Sequence, residues 1–184
     1  MTGSPQPQAI LVLPHLRVQN ANAISSPLTH GFPSITAFTG LMWALQRKLV
    51  QAQIPLRLLS VGVVCHHHQE QVTQGYVRTF NLTRNPVDND GSTAAIVEEG
   101  RMHLQVSLIF AVAEQLAPGA ASVLVQGGED RMADWAAKAG EIAAQMRVAG
   151  GGWDSAAITP GARQEGAPMD GIVARRPAAA CPGI

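Results

Sequence analysis

Residues 81–92, NLTRNPVDNDGS, gather Asn, Thr, Arg and Asp on a backbone interrupted by Pro and Gly. Asn and Arg side chains can hydrogen-bond base edges, and Arg can also pair with phosphate or stack on a base. Backbone amides freed by the Pro–Gly geometry can donate to phosphate oxygens. The same residue types also hold a hairpin tip through its own turns, which by composition alone explains most of them. A second polar stretch, QNANAISSPLTHG, offers Asn20 and Asn22 for base edges and Ser25 and Ser26 for phosphate. A loop linking a strand to a helix has that composition too.

The run His66-His67-His68 invites a metal reading. Neighbours on a strand point to opposite faces, so three in a row cannot reach one ion without a bend. His66 and His68 could share a face, but no nearby cysteine or carboxylate pair completes a known ligand spacing, and no metal or cofactor is expected. A histidine-based ribonuclease needs a proton acceptor at the attacking hydroxyl and a donor at the leaving oxygen. His15, His30 or the histidine run could serve, yet no spacing sets a pair. Glu98 and Glu99 are adjacent and face apart on a strand. No phosphate-cradling glycine signature of nucleotide-binding type is present.

The composition bounds these readings. The chain has 184 residues, 46% of them hydrophobic and 14% charged, which is globular. Lys+Arg and Asp+Glu number 13 each, so no global field draws it to a polyanion. The first 97 residues are nonetheless cationic, with Arg17, Arg47, Lys48, Arg57, Arg78 and Arg84 against Glu70, Asp88 and Asp90. His15, His30, His66, His67 and His68 fall there as well. Cys65 and Cys181 lie far apart, which fits a reducing compartment better than a disulfide. The start, MTGSPQPQ, lacks a signal peptide's features, and no segment reaches the ~20 apolar residues of a membrane helix, so a cytoplasmic protein is expected.

The elements that must carry these residues follow from pattern. Residues 1–8 read as a flexible leader and 9–18 as a strand. Residues 19–34 read as a loop, with Ser34 capping a helix over 35–51 whose stripe is Phe38, Leu41, Met42, Leu45 and Leu49. Gln46, Arg47 and Lys48 mark its opposite face. Residues 56–66 form a second strand and 67–97 a polar, turn-rich insertion. Residues 101–113 form a third strand. SVLV, within 118–128, could be a short strand. Helical spacing returns over 129–147 through Met132, Trp135, Ala139, Ile142 and Met146. This order predicts an α+β, ferredoxin-like or RRM-like βαββαβ domain over 9–150, with a long insertion between strands two and three. Its fourth strand should fall near 148–156, where VAGGGWDSA is a poor strand because glycine costs entropy and packs nothing. The Ala/Gly/Pro-rich remainder, 151–184, is expected to lack order.

Several long runs resemble one family: LPHLRVQNANAISSPLTHGFPSITAFTGLMWALQRKL, VGVVCH, FNLTRNPVDNDGSTAAIVEEGR with the following HLQVSL, and MRVAGG. Over about 9–150 the chain is similar to the Csy-two subunit family (Cas-five-type, RAMP superfamily) of type I-F CRISPR surveillance complexes. The resemblance implies RRM-like domains, a thumb-like insertion, and a non-catalytic RNA-binding role. Members hold the repeat-derived 5′ handle of the CRISPR RNA with the large subunit, beside the neighbouring backbone subunit. Cutting the precursor falls to another subunit, so no catalytic residue carries over; Cas-five-type relatives in other subtypes do process RNA. Arg17, Asn20, Asn22, Arg78, Asn81, Arg84 and Asn85 are the expected handle or phosphate contacts. The resemblance stops near Gly151, and a truncation or frameshift is expected to account for the tail.

Overall fold

The computed structural model describes residues 6–84, 87, 89–93, 96–116, 121–126, 128–153 and 171–173. Strand β1 (Ala9–Asn22) is followed by a small hairpin, β2 (Ile24–Ser26) and β3 (Thr29–His30), and by helix α1 (Ile35–Gln51). Then come β4 (Leu56–Glu70), β5 (Val72–Thr73), β6 (Thr79–Phe80), β7 (Leu82–Arg84), β8 (Ile96–Glu98) and β9 (Arg101–Glu114). Helices α2 (Val123–Gln126) and α3 (Glu129–Ala144) precede β10 (Gly152–Trp153) and β11 (Gly171–Val173).

The central sheet has the order β10-β1-β9-β4, with β11 also beside β1. Every pairing is antiparallel. β1 and β4 therefore run parallel with β9 between them, and β9 and β10 run parallel with β1 between them. Two β–α–β crossovers, through α1 and α3, are interleaved. β9 is hydrogen-bonded on both edges, which suits its burial: Met102, Leu104, Val106, Leu108, Phe110 and Val112 are all buried. These side chains meet Leu11, Leu16 and Val18 of β1, Phe38, Leu45 and Leu49 of α1, and Met132 and Ala139 of α3 in one core. Burial of a side chain such as Phe38 or Phe110 contributes about 1.5–3 kcal/mol.

Several elements depart from the sequence pattern for local reasons. β1 runs on to Asn22 because it is bulged twice, between Leu13 and Leu16 and between Val18 and Ala21. His15 (φ 47°) and Asn20 (φ 56°) occupy the left-handed conformations at these bulges. Pro14, which has no N–H for the ladder, sits at the first of them. The expected loop over 19–34 thus supplies the end of β1 and then a hairpin, in which Ser25 Oγ and Ser26 Oγ both bond Thr29 Oγ1. β4 runs past the expected residue 66 to Glu70, since His67 and Gln69 pair with Gln105 and His103 on β9. The insertion accordingly lies between Glu70 and Arg101. The SVLV segment is helical in α2, not a strand.

On α1 the expected apolar stripe is buried at Phe38, Leu41, Leu45 and Leu49. Ser34 stands at the N-cap without a side-chain cap bond; its hydroxyl pairs with Thr36 Oγ1 instead. Gln46, assigned by pattern to the outer face, turns its amide onto β4. Its Nε2 donates to Leu56 O (2.9 Å), and its Oε1 accepts from Leu58 N (2.6 Å).

After α3 the chain reverses in two residues. Val148 N donates to Gly151 O and Gly151 N to Val148 O, with Ala149 (φ 48°) and Gly150 (φ 78°) between them. Positive φ at both central positions is the twist that suits a two-residue hairpin. The glycines that make 148–156 a poor strand by composition have a use here. A Cβ on Gly151 would lie 2.6 Å from Gln19 O and 2.8 Å from Ala21 N, so only glycine allows this approach to β1. β10 then pairs with Val18 and Gln19. Within the segment expected to lack order, Gly171–Val173 pairs with residues 10–12 of β1.

Candidate nucleic-acid interface

The residues expected to contact RNA fall into three places. Arg17 is exposed on β1, on the sheet face away from the helices. Asn20 and Asn22 lie at the end of the same strand but are engaged within the fold. Asn22 Oδ1 accepts from Ile24 N, and its Nδ2 donates to Ile24 O, a turn that launches the β2–β3 hairpin. Asn20 Oδ1 accepts from Gln71 Nε2 (2.8 Å), and Asn20 O accepts from Arg101 Nη1 (3.3 Å). Asn81, in the insertion, accepts from Thr73 Oγ1 (2.9 Å). Arg78 and Arg84 are exposed on the insertion, with no ion-pair partner among the described residues. Asn85 lies outside the described residues. The fold brings Arg17 and Asn20 to one end of the sheet and sets Arg78 and Arg84 apart on the insertion.

The insertion is tied to the sheet by polar bonds. Glu99 Oε2 accepts from Thr83 Oγ1 (2.8 Å), Arg101 Nε (3.2 Å) and Arg101 Nη2 (2.9 Å). The Thr83 hydroxyl, followed by the Arg101 guanidinium, holds the Glu99 carboxyl below the usual carboxylate range. Gln71 Nε2 also lies 3.0 Å from His103 Nε2. Asn20, Gln71, Thr83, Glu99 and Arg101 line an open cleft of ≈ 500 Å³ together with Arg147, Gly150 and Trp153. At the insertion's outer end, Ser92 N donates to Asp90 Oδ1, which lowers the Asp90 carboxyl pKa. Part of the 81–92 stretch thus holds its own turn.

Beside this cleft the open face of the sheet carries two polar rows. Arg17 pairs in register with Gln105, and Gln105 with His67. One step along, Gln69 pairs with His103, next to Gln19 at the edge of β1. These side chains line a shallow pocket of ≈ 450 Å³. The carboxylates of these strands, Glu70 and Glu114, pair with Met102 and Leu56 and so share the register of the helix-facing residues. Above the rows, His15 and His66 stack with ring centroids 4.3 Å apart. Ser107 Oγ joins them: it accepts from His15 N (3.0 Å) and lies 2.7 Å from His66 Nε2. No group of three or more His, Cys, Asp or Glu among the described residues is placed to hold a metal ion. No helix among them is long and apolar enough to cross a membrane.

Gln69, His103 and Gln105 were not among the sequence candidates, and His67 entered only as part of the histidine run weighed for metal binding or catalysis. Their signal was present as alternation, since His103, Gln105 and Ser107 interleave with buried Met102, Leu104 and Val106. What could not be read was their alignment with Arg17 and His67, which depends on two bulges in β1 and one in β4 near the histidines.

Over residues 11–160 the chain matches a family of CRISPR-associated proteins, which sets its class. It belongs to the family described as CRISPR-associated protein (Cas_Csy2), as the sequence resemblance implied. It is 58% identical over 109 residues to the CRISPR-associated protein Csy2 of Pseudomonas aeruginosa (strain UCBPP-PA14). That match covers 58% of this chain and 33% of the relative, so the chain spans about a third of the curated protein it matches.

Proposed function

We propose that the chain is a non-catalytic, RNA-binding subunit of a cytoplasmic type I-F CRISPR surveillance complex, acting in defence against foreign DNA. It holds the 5′ handle of the CRISPR RNA together with the large subunit, next to a backbone subunit. The fold is read as ferredoxin-like of the RAMP type; the two interleaved β–α–β crossovers and the sheet order support this. The observation that carries the functional reading is the braced insertion of a Csy2-family chain. The Thr83–Glu99–Arg101 and Asn20–Gln71–His103 bonds anchor its base, while exposed Arg78 and Arg84 point cationic side chains outward. Such arginines bind phosphate or stack on unpaired bases.

The test is co-expression with the other complex subunits and a CRISPR RNA. The chain is expected to co-purify with a protected RNA, and Arg84→Ala with Asn85→Ala to weaken handle retention. Unchanged retention removes this loop from the site. Metal-independent cutting of repeat RNA, abolished by a histidine substitution, would overturn the non-catalytic reading in favour of an endoribonuclease. Against that rival stands the stacking of His15 on His66, which puts these two imidazoles side by side instead of on opposite sides of a phosphate.

A further inference from the structure

We propose that the polar half of the open sheet face, centred on Arg17, Gln105 and His67 with His103 and Gln69 behind them, binds unstacked bases of single-stranded RNA. This rests on the RNA-holding reading above and places a main contact on the sheet, away from the insertion's arginines.

Three observations support it. The first is side-chain type. Imidazole, guanidinium and carboxamide groups are planar, so each can lie against a base face. All but His103 can also hydrogen-bond a base edge; His103 offers its face alone, its ring nitrogens meeting Asn20 N and Gln71 Nε2. The second is charge. The face carries Arg17 and four uncharged or protonatable nitrogen-bearing side chains, while Glu70 and Glu114 belong to the other register. Glu99, the carboxylate at its rim, is bonded to Arg101. Among the described residues, phosphates therefore approach without facing an unpaired carboxylate. The third is spacing. Within a row, partners on neighbouring strands stand roughly 5 Å apart, and successive same-face rows are roughly 7 Å apart along the strands. That row spacing is about twice the ~3.4 Å rise between stacked bases along a duplex strand. Splayed bases match it; a stacked helix does not.

A protein partner is the less favoured occupant of this half. The binding energy of protein interfaces is concentrated in buried Trp, Tyr and Arg anchors, whereas His, Gln and a lone Arg make up these rows. The apolar half of the face, with Ile10, Val12, Val64 and Ile109, has different chemistry and is not part of the proposal.

The experiment uses the full chain in its co-expressed complex, loaded with a CRISPR RNA and irradiated with ultraviolet light. Peptides carrying crosslinked nucleotide are then sequenced, and RNA retained after a salt wash is measured. Crosslinks are expected on the peptides holding His67 and His103. His67→Ala with Gln105→Leu should weaken retention by about ten-fold, the scale of one lost base-stacking contact. Arg17→Gln should weaken it less and reduce its salt dependence. Lys138→Ala, on the exposed surface of α3, should leave it unchanged. All replaced side chains of the face are exposed or half-buried, and circular dichroism of each variant checks that the fold survives. Full retention in the double variant, with no crosslink on either strand, would overturn the proposal while leaving the handle-holding function standing. A double variant that keeps its RNA but loses a protein subunit would overturn it too, and would assign the face to a protein. A complex that carries no RNA in any form would instead overturn the proposed function.

Discussion

Replacing Gly151 by alanine should destabilise the chain through a single methyl group. Its Cβ would lie 2.6 Å from Gln19 O, 2.8 Å from Ala21 N and 2.8 Å from Val18 Cγ1. Two of these three atoms belong to the backbone of β1 at its second bulge, which is pinned on both sides by the pairing of Val18 and Ala21 with β9, so they cannot swing aside as a side-chain terminus would. The turn and β10 must move instead, straining Asn22 N→Ala149 O and the pairing of Gly152 and Trp153 with β1. Overpacking of this kind costs about 1–3 kcal/mol. At this chain length 1 kcal/mol corresponds to about 2–4 °C, so a central cost of about 2 kcal/mol lowers the Tm by about 4–8 °C. The neighbouring Gly152 is the internal control, because a Cβ there meets nothing within 4 Å. Gly152→Ala should stay within about 0.5 kcal/mol of the parent. Thermal unfolding followed by far-ultraviolet circular dichroism compares the two. If they melt within about 1 °C of each other, close approach is not what Gly151 provides, and the reasoning fails.

Other outcomes follow from the same geometry. Ala149 holds a φ of 48°, which costs a residue with a Cβ about 1–2 kcal/mol, and Asn tolerates that region better. Ala149→Asn should therefore raise the denaturant midpoint, with the slope unchanged. Gln46→Ala should cost about 1–3 kcal/mol, since it leaves the amide of buried Leu58 without its acceptor; equilibrium urea unfolding measures this. Acidification should loosen the β7–β8 hairpin. The Glu99 carboxyl titrates below its ordinary value of 4.5 in the folded chain, so its stabilising effect is complete above that value and lost as pH falls through the folded one. Both partners keep about a third of their side chain exposed (35% for Glu99, 32% for Arg101), so the effect is local. Protection of the Val97 and Thr83 amides, measured relative to the intrinsic exchange rate at each pH, should fall on acidification, and Glu99→Gln should remove that dependence. Protection that stays constant with pH in the parent chain would contradict it.

Sequence by itself determined the long elements and the helix-facing core. The spacing of Phe38, Leu41, Leu45 and Leu49, and the alternation of Met102, Leu104, Val106 and Leu108, are single-element patterns that need no partner to be read. Shared motifs likewise pointed to the family without any coordinates. Tertiary structure alone decided the rest. Asn20 and Asn22 look like free base-reading side chains in the sequence, yet Asn22 is committed to a local turn with Ile24, and Asn20 to Gln71, a partner that exists only once the insertion has docked. Gln46 looks like a surface residue on its helix, yet it clamps β4. Gly151 looks like a strand-breaker, yet it is where β1 and the last turn touch. Arg17, Gln105 and His67 come from three strands whose register is shifted by bulges, so no local pattern aligns them. A single residue's slip turns a strand's side chains to the other face, and the bulges that set this slip are held by contacts far away in sequence.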